Sequence, residues 1–324
     1  MAQTILVTGV SSSIGEELIH QLLITGFQVR ATCSPNDDLS KWQKYTNQIQ
    51  FLETHILDVT EVYQIVKDVD VVFHCDTIDE YQAVSYENRM KYNVEGTANI
   101  VNAMLYHGVE KIVFFSSLKS LLTVPNKVSD ENSKAEINEW TTEYALSMLL
   151  AEREIWRGSV EGLKVNIVNC ADILVKKTSS KNLYTDTIEK LQNGKVEIYP
   201  SNIQYVDVKD IAILSLKILK ENHWNATWLA LGGCVDRMQF YQLVANHLSL
   251  NWKSNMVTNS TVYFKITMDF IKSILFRKER TFRKANGQYL MSDFKFNNQL
   301  TTSTFDMQWN SLEQWLNQHP NSTQ

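Results

Sequence analysis

In the first half of the chain, short runs of apolar and β-branched residues alternate with longer stretches in which apolar positions recur every three or four residues. Thr4–Thr8, Phe27–Cys33, Ile49–His55, Val69–His74, Lys111–Ser116 and Leu163–Asn169 have the length and content of strands. Ile14–Thr25, Lys91–His107 and Tyr144–Gly158 have helical spacing. In the first of these, Leu18, Ile19, Leu22 and Leu23 share one side, and Gly26 and Gly108 stand where the first two helices stop. The strands are apolar throughout, so both of their faces must be covered. Strand–helix alternation with doubly covered strands predicts an α/β fold with a doubly wound parallel sheet.

After Asn169 the rhythm weakens. Lys176–Lys181 reads as a polar loop, Tyr184–Asn193 as a helix and Val196–Tyr199 as a strand. Val206–Glu221 reads as a strand end plus a helix, Ala226–Leu231 as a strand and Met238–Leu248 as a helix. There is no internal repeat.

Thr8-Gly-Val-Ser-Ser-Ser-Ile-Gly15 joins the first strand to the first helix. A turn of this kind lets backbone N–H groups and the helix N-terminus receive a pyrophosphate. Gly9 suits the tight turn and Gly15 lets the helix close onto the sheet. Ser12 stands at the middle position, where glycine would let the backbone approach the phosphate. Its side chain is expected either to donate its hydroxyl or to crowd the anion. Alone, the turn is equally compatible with an α/β protein that binds nothing.

The wider set of motifs is more specific. Thr8-Gly-x-x-x-x-x-Gly15 resembles the Thr-Gly-x-x-Gly-x-x-Gly of the extended short-chain dehydrogenase/reductases, and the likeness continues in order. Leu57-Asp-Val59 resembles the pair that holds adenine, and Val71-Val-Phe-His74 the fourth strand. Asn93-Val-Glu-Gly-Thr-Ala-Asn99 is similar to the family's Asn-Val-x-Gly-Thr-x-Asn helix. Lys111–Ser117 resembles the strand that ends in the catalytic serine, and Tyr144-x-x-Ser-x-x-x-Ala-Glu152 the active-site helix. Tyr205-Val-Asp-Val-x-Asp210, Trp228-Leu-x-Leu-Gly232 and Asp306–Trp315 resemble later landmarks. The likeness covers nearly the whole chain and is greatest to the dihydroflavonol reductase, hydroxysteroid dehydrogenase and nucleotide-sugar epimerase/dehydratase branch.

The resemblance implies a Rossmann fold: a dinucleotide-binding domain over 1–170, to which 203–232 returns, and a smaller substrate-binding lobe over 171–202 and 233–324. It implies a catalytic pair, Tyr144 as acid/base and Ser117 as the residue that orients the substrate oxygen. It implies a cofactor, NAD or NADP, held by Gly9, Ser11, Ser12, Ser13, Ile14, Gly15, Ser34, Asp58, Val59, Asn93, Tyr144, Cys170 and Ile173. The choice between the two dinucleotides stays open. Arg30 lies inside the second strand, Ser34 stands where many reductases of this branch carry an arginine for the 2′-phosphate, and Asp37 and Asp38 read as a turn or helix cap.

Several residues depart from the family pattern. The lysine one helical turn after the tyrosine is Met148, which has no charge and donates no hydrogen bond. Losing that cation is expected to cost a few kcal/mol of transition-state stabilisation, roughly a hundredfold in rate. Lys119 is the one nearby candidate for a replacement, against the simpler reading of a solvated loop lysine. Asp76, in His74-Cys-Asp-Thr77, puts a carboxylate near an anionic ligand, which is unfavourable unless it points away. Cys170 replaces a proline that normally lies against nicotinamide. Two readings follow: an NAD(P)-dependent oxidoreductase or epimerase/dehydratase acting on a small hydroxyl or carbonyl compound with weakened activity, or a non-catalytic dinucleotide-binding or interaction protein on the same fold.

Composition narrows the partners. A net charge of −5 gives no general reason to bind nucleic acid. Four scattered cysteines without a C-x-x-C suit a reducing compartment, and the chain starts in a strand pattern without a basic leader, so a cytoplasmic location is expected. The seven histidines have no ligand spacing, and no metal is expected. No apolar run is long enough to span a bilayer, and no membrane partner is expected. Tyr263–Lys284 is apolar first and then basic, which would suit a membrane surface or an anionic substrate; the simpler reading is a solvated helix face. Tyr92 and Tyr106 lie on helices that pair subunits in many relatives, so a homodimer is possible.

Overall fold

The computed structural model describes residues 3–121, 124–176, 181–277 and 279–320. Most of the expected loop 176–181 therefore lies outside the described residues. The first half runs β1 (Thr4–Thr8), α1 (Ser13–Ile24), β2 (Gln28–Cys33), β3 (Ile49–Glu53), α2 (Val59–Val66) and β4 (Val71–His74). It continues with α3 (Tyr86–Met90), a π-helical turn (Lys91–Glu95), α4 (Gly96–His107), β5 (Lys111–Ser117), the short β6 (Val128–Ser129), α5 (Glu143–Val160) and β7 (Lys164–Cys170). The second half runs β8 (Asp172–Leu174), α6 (Leu183–Gln192), β9 (Lys195–Ile198), β10 (Asn202–Asp207), α7 (Val208–Glu221) and β11 (Ala226–Ala230). After these come β12 (Gly233–Asp236), α8 (Arg237–Leu248), β13 (Lys253–Met256), α9 (Asn259–Phe276) and α10 (Lys284–Leu290).

Seven strands form one parallel sheet in the order β11-β7-β5-β4-β1-β2-β3. The chain winds outward from β1 in one direction and returns through β4 in the other, so the β1/β4 junction is the switch point of the sheet. The apolar runs divide between its faces with the strand period of two. Ile5, Val7, Val71, Phe73, Val113 and Phe115 meet α1 and α7, while Leu6, Val72, Ile112 and Phe114 meet α2, α4 and α5. The expected α1 side, Leu18, Ile19, Leu22 and Leu23, is buried.

A third apolar cluster gathers α6, β9, α8 and the segment around Trp315. There β10 pairs with β8 and β12, while α7 packs on α1 and β11 closes the large sheet. The aspartates of the Tyr205–Asp210 motif hold the C-terminal segment. Asn310 donates its backbone N–H to Asp210 (2.8 Å) and its amide to Asp207 (3.0 Å), and the Leu312 N–H meets the Tyr205 hydroxyl (3.1 Å).

Two helices differ from expectation: α2 forms over Val59–Val66, where no element is read from the sequence, and the next begins early. The helix read as Lys91–His107 starts earlier, at Tyr86, where Ser85 caps it by accepting the Asn88 N–H (3.1 Å), and it is interrupted by the π-helical turn. Tyr86-Glu-Asn-Arg-Met90 carries little apolar periodicity, which is why the pattern misses it. Among the described residues no helix is long and apolar enough to cross a membrane.

Gly15 sets how closely α1 approaches the sheet. A Cβ there would lie 2.2 Å from the Gly9 carbonyl oxygen, a backbone atom that has no room to retreat. Gly15→Ala is expected to cost about 1–3 kcal/mol by pushing α1 off the turn, lowering Tm by several degrees in thermal unfolding. An unchanged Tm would show that the turn yields freely.

Candidate active site

The site is built on the switch point. Thr8 and His74 are register partners at the ends of β1 and β4, and the Thr8 hydroxyl meets His74 Nδ1 at 2.8 Å. His74 Nε2 meets the Thr97 hydroxyl at 3.1 Å, and that hydroxyl donates to the Asn93 carbonyl at 2.6 Å. Thr97 has therefore spent its proton and must accept from His74 Nε2–H. Nδ1 is then the acceptor for Thr8, whose oxygen in turn accepts the N–H groups of Cys75 (3.1 Å) and Asp76 (3.2 Å). The hydrogen bonds fix one neutral tautomer, and burial agrees, depressing the His74 pKa to about 3.

Gly9 follows β1 with φ of +76°, and a Cβ on it would stand 3.0 Å from the Asp76 Cα. Only glycine combines that backbone with that approach. Ser12 caps α1: its hydroxyl donates to the Gly9 carbonyl (2.8 Å) and accepts the Gly15 N–H (3.0 Å). Its hydroxyl proton is thus spent inside the turn, while the side chain still borders the cleft. The N–H groups of Ser13 and Ile14, in the first turn of α1, lack intrahelical acceptors and suit a phosphate.

A cleft of about 170 Å³ lies above this turn. Gly9, Ser11, Ser12, Ser13, Ile14, Tyr144 and Ile173 line it, joined by Asp76, Thr77, Asp79, Gln82 and Phe115. Ser117 and Cys170 line an adjoining cavity together with Tyr144 and Ile173. The structure thus brings together nine of the residues expected around the cofactor and the reaction. The others lie elsewhere. Gly15 sits behind the turn. Ser34 faces solvent and gives its N–H to Asp37 (2.7 Å). Asp58 caps α2 through the N–H groups of Thr60 and Glu61, beside exposed Val59. Asn93 is fully buried below the cleft: its amide oxygen accepts the Ile78 N–H (2.7 Å) and its nitrogen donates to the Ile78 carbonyl (3.1 Å) and to Ser147 (3.0 Å). Asp79 and Gln82 were not foreseen; their one sequence signal is a polar run directly after an apolar strand. Arg30 is committed to the carbonyls of Ile65 (2.8 Å) and Lys67 (2.5 Å) at the end of α2.

Tyr144 and Ser117 line the same cavity, and the Ser117 hydroxyl accepts the Lys119 N–H (3.2 Å). Burial, then the charges of Glu80 and Asp79, push the Tyr144 pKa well above its ordinary value; Lys119 and the nearby Ser117 hydroxyl oppose this. Met148, one turn on, is buried in the core, with the Asn93 amide 3.6 Å from its sulfur. Lys119 is not the solvated loop lysine of the simpler reading. It is buried, ion-paired to Glu80 and to Asp172 (2.9 Å), and lies over the Tyr289 ring. Below Ser117, the buried Glu152 carboxyl receives Ser116, Ser120 (2.5 Å) and Asn169 (2.7 Å), and burial raises its pKa.

Asp76 does turn toward a partner of its own. Tyr92, on a helix that pairs subunits in many relatives of the family it resembles, donates its hydroxyl to the Asp76 carboxylate (2.9 Å). Burial nonetheless raises the Asp76 pKa to about 6.

The sequence profile of the NAD dependent epimerase/dehydratase family matches residues 5–227. Cinnamoyl-CoA reductase 1 of Petunia hybrida is 25% identical over 266 residues, covering 75% of this chain and 77% of its own. Among solved structures, gox2253 superposes with a TM-score of 0.83 at 19% identity, covering 97% of this chain and 96% of its own. The dTDP-glucose 4,6-dehydratase DesIV of Streptomyces venezuelae, solved with NAD and TYD, superposes with a TM-score of 0.77 at 15% identity, covering 98% of each chain.

A pyrophosphate held at the Gly9–Gly15 turn would lie beside Asp76, and its charge would raise the Asp76 pKa further. Affinity for an anionic dinucleotide is therefore expected to fall above pH of about 6, by roughly tenfold per pH unit until the carboxyl ionises in the complex as well. Asp76→Asn is expected to abolish that dependence and to hold the low-pH affinity. Titration calorimetry between about pH 5 and 8 checks both, and a flat wild-type profile would show that the carboxylate does not sense the ligand.

Proposed function

Since the chain belongs to the NAD dependent epimerase/dehydratase family, within the extended short-chain dehydrogenase/reductases, we propose that it is a nicotinamide-dependent oxidoreductase acting on a small hydroxyl or carbonyl compound with a weakened catalytic site. The carrying observation is that Tyr144 and Ser117 share one cavity beside the cleft that the Gly9–Ile14 turn builds. The same proposal takes 1–170 with 203–232 as the cofactor-binding part, and 171–202 with 233–324 as the substrate lobe.

The residues fit the cofactor. Gly9 and the N–H groups of Ser13 and Ile14 would receive the pyrophosphate, with Tyr144, Cys170 and Ile173 toward the nicotinamide. When bound, the nicotinamide supplies or accepts the hydride. Tyr144 moves a proton at its hydroxyl, and Ser117, in the same cavity, orients the substrate oxygen. The preferred dinucleotide is NAD: residues 31–40 contain Asp37 and Asp38 and no lysine or arginine, and Arg30 is spent on α2. Asp37 would repel a 2′-phosphate and accept from a ribose hydroxyl.

The substrate is proposed to carry an anionic group. The cavity beside Tyr144 and Ser117, about 70 Å³, shares Glu80, Tyr81, Asp172 and Leu183 with a larger one of about 270 Å³. Away from Tyr144 the larger cavity includes Lys190 and Arg237. Lys119 engages Glu80 and Asp172, and Lys190 engages Asp186 (2.5 Å). Arg237 touches Ser201 (3.0 Å) and has no carboxylate partner among the described residues, so its charge remains for a ligand.

Weakened turnover follows from the surroundings of Tyr144. The cation of the usual lysine position is absent at Met148, and at Tyr144 the Lys119 charge is outweighed by Glu80 and Asp79. The phenolate is disfavoured, so alcohol oxidation is expected to rise roughly tenfold per pH unit from about pH 7 to 10 without a plateau. A plateau below about pH 9 would reveal an effective replacement cation. Calorimetry against NAD(H) and NADP(H) tests the cofactor reading, with NAD(H) expected at least about tenfold tighter; no binding of either would favour the non-catalytic protein instead.

A further inference from the structure

α9 is amphipathic the wrong way round for a helix packed on a core. Tyr263, Phe264, Phe270, Ile271, Ile274 and Leu275 recur at helical spacing on one side, and each is between 40 and 70% exposed. Val262 is the one fully buried residue of its 18. The helix's rotation is fixed by its other side. Lys265 pairs with Glu197 and meets the Tyr199 hydroxyl (3.0 Å), and Asp269 accepts the Thr281 N–H (3.1 Å) and hydroxyl (2.9 Å). Val262 and Ile266 press on Gly287 of α10, where a Cβ would stand 2.5 Å from Val262. With its polar side anchored, the helix can only present its apolar side outward.

Two hydroxyls in the body of this helix are already spent. Thr267, on the exposed stripe, donates to the Tyr263 carbonyl (2.9 Å), and Ser273 donates to the Phe270 carbonyl (2.7 Å). Neither needs water, which removes the main cost of placing them against hydrocarbon.

Charge selects the occupant. Residues 259–284 carry seven Lys/Arg against two acidic residues, a net of +5 in a chain of −5, leaving −10 on the remainder. Lys265, Arg280, Arg283 and Lys284 meet carboxylates of the protein. Lys272 and Arg277, which flank the C-terminal half of the stripe, are exposed and have no carboxylate partner among the described residues. A second copy of the chain would bring a second set of these cations against the first. A convex apolar ridge bordered by free cations instead matches a flat anionic surface that yields to side chains.

We propose that α9 and the basic segment after it seat this protein on an anionic membrane surface, with α9 lying in the headgroup plane. The helix does not span: the chain lies on the membrane, and the remainder, of opposite charge, is held away from it. This proposal departs from the solvated helix face expected over Tyr263–Lys284: the basic run lies beyond the helix end at Phe276, and the helix itself exposes apolar residues.

Co-sedimentation of the full chain with vesicles of phosphatidylcholine alone, and of phosphatidylcholine with about a third phosphatidylserine, tests this. Binding is expected to the anionic vesicles, at least about tenfold weaker to the neutral ones, and reduced by high salt. The variant Phe264→Glu/Ile271→Glu/Leu275→Glu is expected to lose binding. Lys272→Gln/Arg277→Gln, which leaves the apolar stripe intact, is expected to bind about thirtyfold more weakly, at roughly 1 kcal/mol per cation. Circular dichroism and thermal melting confirm that the variants fold, and the second stands on its own if the first does not. Absence of wild-type binding at low salt overturns the proposal. So does binding that the cation variant retains in full, or a light-scattering dimer that Leu275→Glu dissociates in a protein that ignores vesicles.

Discussion

A single buried imidazole ties the two halves of the sheet's switch point together. His74 can bridge Thr8 and Thr97 only while neutral and only in one tautomer, and the hydrogen bonds around it leave no freedom to choose another. Through Thr8 the bridge fixes the N–H groups of Cys75 and Asp76, hence the place of Asp76 under Gly9. Through Thr97 and Asn93 it reaches Ile78 and Ser147, hence the loop after β4 and the helix that carries Tyr144. The floor of the cleft, the glycine turn and the tyrosine are positioned by one continuous chain of short polar contacts. Each contact is modest in net worth, about 1 kcal/mol, but breaking any one leaves a buried partner unsatisfied.

Above that floor the electrostatics are unusual for proton transfer by a tyrosine. Asp76, Asp79, Glu80 and Asp172 surround the cleft and the adjoining cavity, and one cation, Lys119, is shared between two of them. Glu152 adds a buried carboxyl below Ser117 that is satisfied by hydroxyls and an amide rather than by a charge. The proposed pair, Tyr144 and Ser117, thus stands in a field that opposes ionisation of the tyrosine. The identity of Tyr144 and Ser117 alone would not reveal that field, which comes from carboxylates brought in by the fold.

The sheet, its order of helices and strands and the turn at Gly9 were legible because they follow from local periodicity and from glycine's special geometry. Helix ends at Gly26 and Gly108 were legible for the same reason. Side-chain commitments were not. Ser12 looks like a ligand contact in sequence, but a serine at that position has a nearer partner in its own turn. Lys119 looks solvated because a loop lysine usually is, and only the fold brings Glu80 and Asp172 to it from 39 and 53 residues away. Tyr92 sits on a helix that looked like an interface, yet its orientation depends on a change of helical geometry that leaves no mark in the pattern of apolar residues.

That change is the π-helical turn at Lys91–Glu95. An α-helix that admits one extra residue turns everything beyond it by about 100° relative to everything before it. The single continuous rod from Tyr86 to His107 therefore has two phases. Before the turn, Arg89 braces the carbonyls of Asp79 and Gln82 at the edge of the cleft; beyond it, Thr97, Ile100, Val101 and Met104 face the sheet. Tyr92 and Asn93, inside the turn, point to the cleft and to its foundation respectively. In mechanical terms the turn is a splice. It lets one helix be a rib of the core and a wall of the cleft at once, and a uniform α-helix of the same sequence could keep only one of those two appointments.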